Sequence, residues 1–145
     1  RRGAGRVVIP NGSRYQGGVV QVGKDLVAAS AAPLVLGILA EGENYGYAII
    51  QRIGELSSGE LEWSEGLLYP LLHRLERLGQ VEAAWGTGDS GRRRKYYRLT
   101  PLGRAALADQ RRAWRAVDAA LDALWRDHAP RLALPTPTLA LGRPA

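Results

Sequence analysis

The sequence contains no cysteine, no methionine and no phenylalanine, and it has only two histidines. Without cysteine the chain has no disulfide framework, no thiolate zinc or iron–sulfur site and no cysteine nucleophile. His73 and His128 lie far apart in sequence, so we predict neither a metal site nor a cofactor. A glycine-rich phosphate loop is also missing from the sequence. Because the residue sets needed for nucleophilic or metal catalysis are absent, we do not expect an enzyme.

Long apolar runs are missing as well. The longest, residues 26–40, is interrupted by Ser30, Pro33 and Gly37. It falls short of the roughly 20 residues that a membrane span needs, so it predicts a buried helix and no membrane partner. The beginning of the sequence lacks the basic, apolar and small-residue progression that is typical of a secretory signal. We therefore expect a cytoplasmic protein.

The charge of the chain is unevenly distributed. The 145 residues are 46% hydrophobic and 23% charged, which is enough for one compact domain with short appendages. The formal net charge is +6, with four consecutive cations at positions 92–95, whereas residues 44–91 are net acidic. A GC-rich genome would also produce an arginine excess. The number of arginines is therefore less informative about function than their position in the sequence. The basic cluster favours a polyanionic partner, and we predict double-stranded DNA.

Hydrophobic periodicity predicts three helices in the first half of the chain. Apolar residues recur at helical spacing over residues 25–41, 47–56 and 65–78. Asn44 is the predicted N-cap of the second helix, and Ser64 is the predicted N-cap of the third.

A hairpin and a long helix are predicted to follow. Two β-prone runs, residues 81–85 and 95–99, flank a loop rich in glycine. Thr100 and Pro101 suit the N-cap and first position of a helix that extends to about His128.

The two ends of the chain show no regular pattern. Residues 1–23 are rich in glycine and lack helical or strand periodicity, which predicts a flexible leader. A native start near residue 19 is one alternative, and a basic arm that follows DNA phosphates is another. Residues 129–145 contain four prolines and predict a disordered tail.

The order of these elements is typical of a winged helix-turn-helix protein. We predict a mainly α (α+β) fold, with a winged-helix DNA-binding domain at residues 24–100 and a C-terminal dimerisation helix at residues 101–128. The leucines of the third helix are predicted to lie on its inward face. Tyr69, His73 and Arg74 then face solvent or DNA. The alternative for this surface is a merely solvated helix face.

The cationic run lies on the predicted return strand of the hairpin. Alternation along an extended strand places Arg93 and Lys95 on one side with Tyr97, and Arg92 and Arg94 on the other. Adjacent like charges repel one another in water, whereas opposite DNA phosphates they become favourable. The alternative is a solubilising turn.

The long helix carries a seam of apolar residues spaced alternately by three and four. This spacing predicts pairing with the same helix of a second subunit, in a homodimer. The predicted interface residues are Leu107, Trp114, Val117, Leu121 and Leu124. A tryptophan at the two-fold axis leaves a slot for a flat aromatic ligand, with Asp118 one turn further on for a cationic or hydrogen-bonding group. Plain core packing of Trp114 is the alternative.

Three sets of residues stand in a fixed order along the chain. They are Leu36-Gly37-Ile38-Leu39 followed by Gly46-Tyr47, then Leu68-Tyr69-Pro70-Leu71-Leu72-His73-Arg74-Leu75-Glu76-Arg77-Leu78-Gly79, and finally Arg92 to Tyr97 with Arg98-Leu99-Thr100 and Gly103. Together, from about Leu34 to Leu124, the sequence resembles the PadR family of transcriptional regulators. The short C-terminal region is similar to the small subfamily, and the likeness is greatest to its multidrug-responsive repressors.

This resemblance implies a dimeric repressor that binds a two-fold operator and releases it when a small-molecule effector binds. The DNA contacts that it implies are Tyr69, His73 and Arg74 on the third helix and Arg93, Arg94 and Lys95 on the wing. The effector site that it implies consists of Trp114 and Asp118 together with Ala29, Ala32 and Pro33 of the first helix.

We therefore predict a ligand-responsive, DNA-binding transcriptional regulator, in the form of a homodimeric repressor released by a planar aromatic small molecule. The alternative is a nonspecific nucleoid-type DNA-binding or protein-interaction module without a ligand response.

Overall fold

The computed structural model describes residues 7–8, 14–16, 19–20 and 22–132. The chain divides into two compact units, residues 1–111 and residues 112–145. In chain order the elements are β1 (Val7–Val8), β2 (Arg14–Gln16), β3 (Val19–Val20), α1 (Lys24–Glu41), β4 (Asn44–Tyr45), α2 (Gly46–Leu56), α3 (Glu65–Arg77), β5 (Val81–Thr87), β6 (Arg93–Leu99) and α4 (Pro101–Leu132).

The predicted leader contains three short strands. β1 pairs with β2 and β2 pairs with β3, both antiparallel, with Tyr15 opposite Val7 on one side and Val20 on the other. The lack of strand periodicity in residues 1–23 did not indicate these strands. Strands of two or three residues are too short to produce a visible period-two pattern. Flexibility of the leader stays a prediction, and its residues 1–6, 9–13, 17–18 and 21 lie outside the described residues.

One hydrophobic core in the first unit joins the first three long helices to the hairpin. The leucine face of α3 is buried as its periodicity predicted, and the inner face of the hairpin contributes Val81, Tyr97 and Leu99. Each fully buried aliphatic side chain stabilises the fold by about 1.5 to 3 kcal/mol. The other buried side chains of this core are Ala31, Val35, Leu36, Ile38, Leu39, Ile49, Ile53, Trp63, Leu68, Leu71, Leu72 and Leu75.

Two of the three predicted helix caps are present. The Ser64 hydroxyl accepts the N–H of Leu67 at the start of α3, at 3.3 Å. Thr100 Oγ1 accepts the N–H of Gly103 at 3.0 Å at the start of α4. The predicted cap at Asn44 is wrong, because Tyr45 occupies the N-cap position of α2 and makes no side-chain cap bond there.

Asn44 and Tyr45 instead form a third strand beside the hairpin. The sheet order is β4-β6-β5, and all of its pairs are antiparallel. Asn44 lies opposite Tyr97 and Tyr45 lies opposite Tyr96. The start of α2 is thereby fixed to the wing, which we define as β5, β6 and the loop between them.

Three prolines lie inside helices without ending them. Pro33 lies inside α1 and Pro70 inside α3, yet both helices continue past them. α4 likewise continues through Pro130 to Leu132, so residues 129–132 are helical and the predicted tail boundary at residue 129 is wrong. A proline removes its own N–H bond and kinks a helix without having to end it. Residues 133–145 lie outside the described residues, so their predicted disorder stays a prediction.

Among the helices in the described part of the chain, none is long and apolar enough to cross a membrane.

Replacing Gly103 with alanine is expected to destabilise the first unit. A Cβ at Gly103 would overlap the carbonyl oxygen of Gln80 and press against Leu99 Cδ1 at 2.8 Å. Because backbone cannot yield as a flexible side chain does, we expect Gly103→Ala to lower the free energy of unfolding by about 2 to 3 kcal/mol in urea denaturation. The matched control is Gly54→Ala in α2, where a Cβ meets nothing within 4 Å. This control should raise the unfolding free energy by about 0.5 to 1 kcal/mol, and equal effects of the two changes would contradict the packing argument.

Candidate nucleic-acid interface

The outward face of α3 is open to a partner. Burial of the leucine face turns His73 and Arg74 to the exposed side of the helix, while Tyr69 is half-buried. Gly66 and Pro70, on the N-terminal half, are exposed and have no long side chains. This half of the helix can therefore approach another surface closely, as a recognition helix must when it enters a major groove.

Tyr69 is held in place by close contact with the first residue of α2. A Cβ at Gly46 would lie 2.6 Å from Tyr69 Oη and 2.9 Å from Tyr69 Cζ, so a side chain at position 46 would require this ring to shift. On its other side, the ring centroid of His73 is 6.5 Å from that of Tyr69. The start of α2 thus fixes the orientation of a side chain that the sequence predicted to contact DNA.

The inner face of the wing carries two of the predicted DNA-binding cations. Arg93 lies opposite Thr87 and Lys95 lies opposite Trp85, so these residues share the side of the sheet that Tyr97 occupies. Arg93 Cζ is 5.2 Å from the centre of the Trp85 ring, and Lys95 Nζ is 5.6 Å from the centre of the Tyr97 ring. Aromatic faces attract cations, so these stacks hold both charges in defined positions.

The third wing cation lies on the outer face. Arg94 Cζ is 4.1 Å above the ring of Tyr45, and Tyr45 meets Tyr96 edge to face with centroids 5.7 Å apart. Further along the same face, Arg98 Nε donates to Glu82 Oε1 at 2.7 Å. Arg94 is therefore tied to the strand that leads into α2, whereas Arg93 and Lys95 lie on the inner face.

These elements surround one cleft of about 630 Å³. Four adjacent cations line it, and Glu65 is the one acidic residue among its lining residues. This imbalance favours an anionic ligand. The lining residues are Tyr45, Gly46, Tyr47, Glu65, Tyr69, His73, Trp85, Arg92, Arg93, Arg94, Lys95 and Tyr97.

Tyr97 joins the cleft to the hydrophobic core. Burial raises the pKa of its hydroxyl above the usual value, and the charges of Glu76 and Tyr69 raise it further. The hydroxyl therefore stays protonated at neutral pH. Its ring is almost completely buried, so the Lys95 ammonium rests on a rigid platform.

The structure brings together five of the six predicted DNA-binding residues. Those that line the cleft are Tyr69, His73, Arg93, Arg94 and Lys95. Arg74 lies on α3 outside the cleft lining and is exposed. Three aromatic lining residues, Tyr45, Tyr47 and Trp85, were not predicted. The alternation of Val81, Ala83 and Trp85 along β5 was a signal that could have identified Trp85.

The predicted effector and dimer residues are divided between the two units. Ala29, Ala32, Pro33 and Leu107 belong to the first unit, and Leu107 packs against its core. In the second unit Trp114 is half-buried and Asp118 is exposed. Val117, Leu121 and Leu124 are exposed along α4. Their roles in effector binding and in dimerisation stay predictions.

Within the described residues, no group of three or more histidine or acidic side chains is arranged to hold a metal ion.

The three-helix core, the hairpin and the cationic cleft define a winged helix-turn-helix DNA-binding protein. Residues 35–109 match the Transcriptional regulator PadR-like family, and the chain belongs to this family. The predicted family and fold class are thereby confirmed, and the protein is a DNA-binding transcriptional regulator.

The chain is also similar to individual proteins and to a solved structure. The chain is 46% identical over 74 residues to Transcriptional regulator Rv3488 of Mycobacterium tuberculosis, a match over 51% of this chain and 65% of that protein. It is 33% identical over 101 residues to Uncharacterized protein X of Lysinibacillus sphaericus, a match over 70% and 93% of the two chains. The crystal structure of a PadR-like transcriptional regulator from Bacillus cereus is similar with a TM-score of 0.63 and 26% identity, over 70% of this chain and 96% of that one.

Removing Tyr45 is expected to weaken the junction between β4 and the wing. Tyr45 contacts both Arg94 and Tyr96, so we expect Tyr45→Ala to lower the free energy of unfolding by about 1 to 2 kcal/mol. Tyr47, two residues later and 59% exposed, provides the control, and Tyr47→Ala should change stability by less than about 0.5 kcal/mol. Urea denaturation of both variants checks the prediction, which a larger loss for Tyr47→Ala would contradict.

Proposed function

We propose that this regulator is a homodimeric repressor that binds a two-fold operator and leaves it when a planar aromatic small molecule binds. The observation that carries the DNA-binding part is the cleft in which Tyr69 and His73 of α3 face Arg93 and Lys95 of the wing. A recognition helix and a cationic arm on either side of one cleft suit a DNA strand lying between them.

The two walls of the cleft have different tasks in this proposal. α3 enters the major groove, where Tyr69, His73 and Arg74 reach base edges or phosphates. The wing lies over the neighbouring backbone, where Arg93 and Lys95 neutralise phosphates and release counterions. Arg94, stacked on Tyr45, sets the position of the wing and adds its charge to the field of the cleft.

Dimerisation through α4 is the second part of the proposal. Val117 and Leu124 are each more than half exposed, and Leu121 is also exposed, at the spacing of a helix-pairing seam. With Trp114 they form an apolar stripe on the second unit, and such a stripe favours burial against an identical helix. Leu107 is the remaining predicted interface residue. A dimer presents two recognition helices, which suit half-sites about 34 to 36 Å apart.

The effector part of the proposal rests on Trp114 and Asp118. Trp114 is half-buried in the isolated chain, so part of its ring is accessible for stacking on a flat aromatic compound, and Asp118 offers a carboxylate one turn away. Ala29, Ala32 and Pro33 of α1 are the further proposed effector residues. The compound releases DNA only if it binds a dimer geometry in which the two α3 helices no longer fit successive major grooves.

The function is tested by fluorescence anisotropy with two duplexes, the DNA upstream of the regulator's own gene and a scrambled sequence of the same composition, at two salt concentrations. We expect the upstream duplex to bind on the order of a thousand-fold more tightly. Equal and purely salt-driven binding to both duplexes would instead indicate a nonspecific nucleoid-type protein and contradict operator binding at this site.

Replacing Trp114 separates effector binding from dimer packing. We expect Trp114→Ala to weaken binding of a planar aromatic compound at least ten-fold and operator binding less than about three-fold, because stacking is lost while the DNA surface is intact. Calorimetric titration uses the compound that best displaces the wild-type protein from DNA, chosen from a panel of planar cationic and phenolic molecules. Trp125→Ala is the control, since Trp125 is 54% exposed on the same helix but outside the seam. Equal losses of compound and operator affinity in Trp114→Ala would show that Trp114 serves dimer packing only.

A further inference from the structure

We propose that Trp85 is a direct DNA-contacting residue whose indole packs against a deoxyribose of the strand that Arg93 and Lys95 bind through its phosphates. This inference rests on the proposed operator binding and adds to it an apolar contact on the wing. It would make the wing a contact surface for sugar as well as for phosphate.

The exposure of Trp85 is the first observation. Its side chain is 61% exposed, the largest value among the exposed large hydrophobic side chains of the described residues. Trp63, in the same unit, is only 6% exposed. A large aromatic ring left in water adds little to the stability of the free protein, whereas tryptophan at the centre of an interface often dominates binding. Trp85 therefore has unburied apolar area to contribute to a complex.

The position of Trp85 is the second observation. It pairs with Lys95 across the β5–β6 ladder, and the Arg93 guanidinium lies 5.2 Å from its ring centre. Cations thus lie both beside the ring and against it. A DNA strand carries the opposite charges around an apolar group, since each deoxyribose is flanked by two anionic phosphates. The inner face of the wing and a DNA backbone are therefore complementary in polarity as well as in charge.

The rigidity of the arrangement favours a sugar over a base as the partner of the ring. Arg93 holds the indole, and the ladder fixes the strand that carries it. Insertion between base pairs would require unstacking, which costs about a few kcal/mol per step. Packing against a sugar at the edge of the minor groove requires no such distortion, so a hairpin lying over the backbone makes this contact at lower free energy.

The salt dependence of DNA affinity distinguishes the indole contact from the charge contacts around it. The slope of log K against log salt is negative, and each lost phosphate contact reduces its magnitude by about 0.9. Removing an uncharged indole lowers affinity equally at every salt concentration and leaves that slope unchanged. A tryptophan that only holds Arg93 in position would instead reduce the magnitude of the slope when it is removed.

The experiment compares five variants with the wild type by anisotropy on the duplex that binds most tightly, across a salt series. We expect Trp85→Ala to weaken binding about ten-fold with an unchanged slope, and Trp85→Phe to stay within about three-fold of wild type. Arg93→Ala with Lys95→Ala should reduce the magnitude of the slope by about 1.8. Arg98→Ala is the control for charge, because Arg98 pairs with Glu82 on the outer face of the sheet. Leu56→Ala is the control for exposed apolar area at the far end of α2.

The outcomes distinguish failure of the Trp85 contact from failure of DNA binding by the wing. Wild-type affinity in Trp85→Ala, together with a reduced slope in the double variant, would overturn the indole contact alone. An unchanged slope in the double variant would overturn the wing contact in the proposed function. A reduced slope in Trp85→Ala would overturn the direct contact and leave Trp85 as a support for Arg93.

A spectroscopic measurement keeps the inference testable if Trp85→Ala does not fold. The difference in tryptophan fluorescence between the wild type and Trp85→Phe reports Trp85 alone. We expect DNA to protect this component from acrylamide quenching. Full accessibility in the saturated complex would overturn the contact.

Discussion

Strand β6 is the element on which both the fold and the site depend, because its alternation gives one strand two roles. Leu99 and Tyr97 are buried in the core, and Lys95 and Arg93 continue the same face beyond it. The charged part of the strand is therefore anchored by its apolar part. β5 and β4 pair with its two edges, so its position is fixed by ladders on both sides.

Four adjacent cations would by themselves make a poor strand. Repulsion between neighbouring cations favours spreading of their side chains and opposes a regular strand. Aromatic rings of β4, β5 and β6 itself counter this tendency, since three of the four cations stack on a ring, at 4.1 to 5.6 Å. The stacks spread the charges over two faces of the sheet, with Arg93 and Lys95 on the inner face and Arg94 on the outer face. In the proposed function, the wing cations are thus positioned before DNA binds, which reduces the ordering that binding has to bring about.

The short strand β4 links the wing to the helix-turn-helix. Tyr45 is the last residue of this strand and lies under Arg94, and the next residue, Gly46, leaves space for Tyr69 of α3. We therefore expect a displacement of the wing to shift α3 through the adjacent residues Tyr45 and Gly46. This contact gives a physical reason for the glycine of the Gly46-Tyr47 motif, since a side chain at position 46 would force Tyr69 to shift.

Much of this protein follows from short-range pattern in its sequence. The leucine period of α3, the Ser64 and Thr100 caps and the alternation along the hairpin depend on neighbours within a few residues, so the helices, the wing and its cations were predictable. Local sequence motifs were also sufficient to identify the family, because they lie within residues 35–109, which match the PadR-like family. The sequence could not reveal that Asn44, the predicted cap of the second helix, lies in a strand opposite Tyr97, or that the Tyr45 ring stacks on Arg94. Only the tertiary structure decided these pairings, together with the cleft and the exposure of Trp85, because they join residues far apart in the chain through packing that no local periodicity encodes.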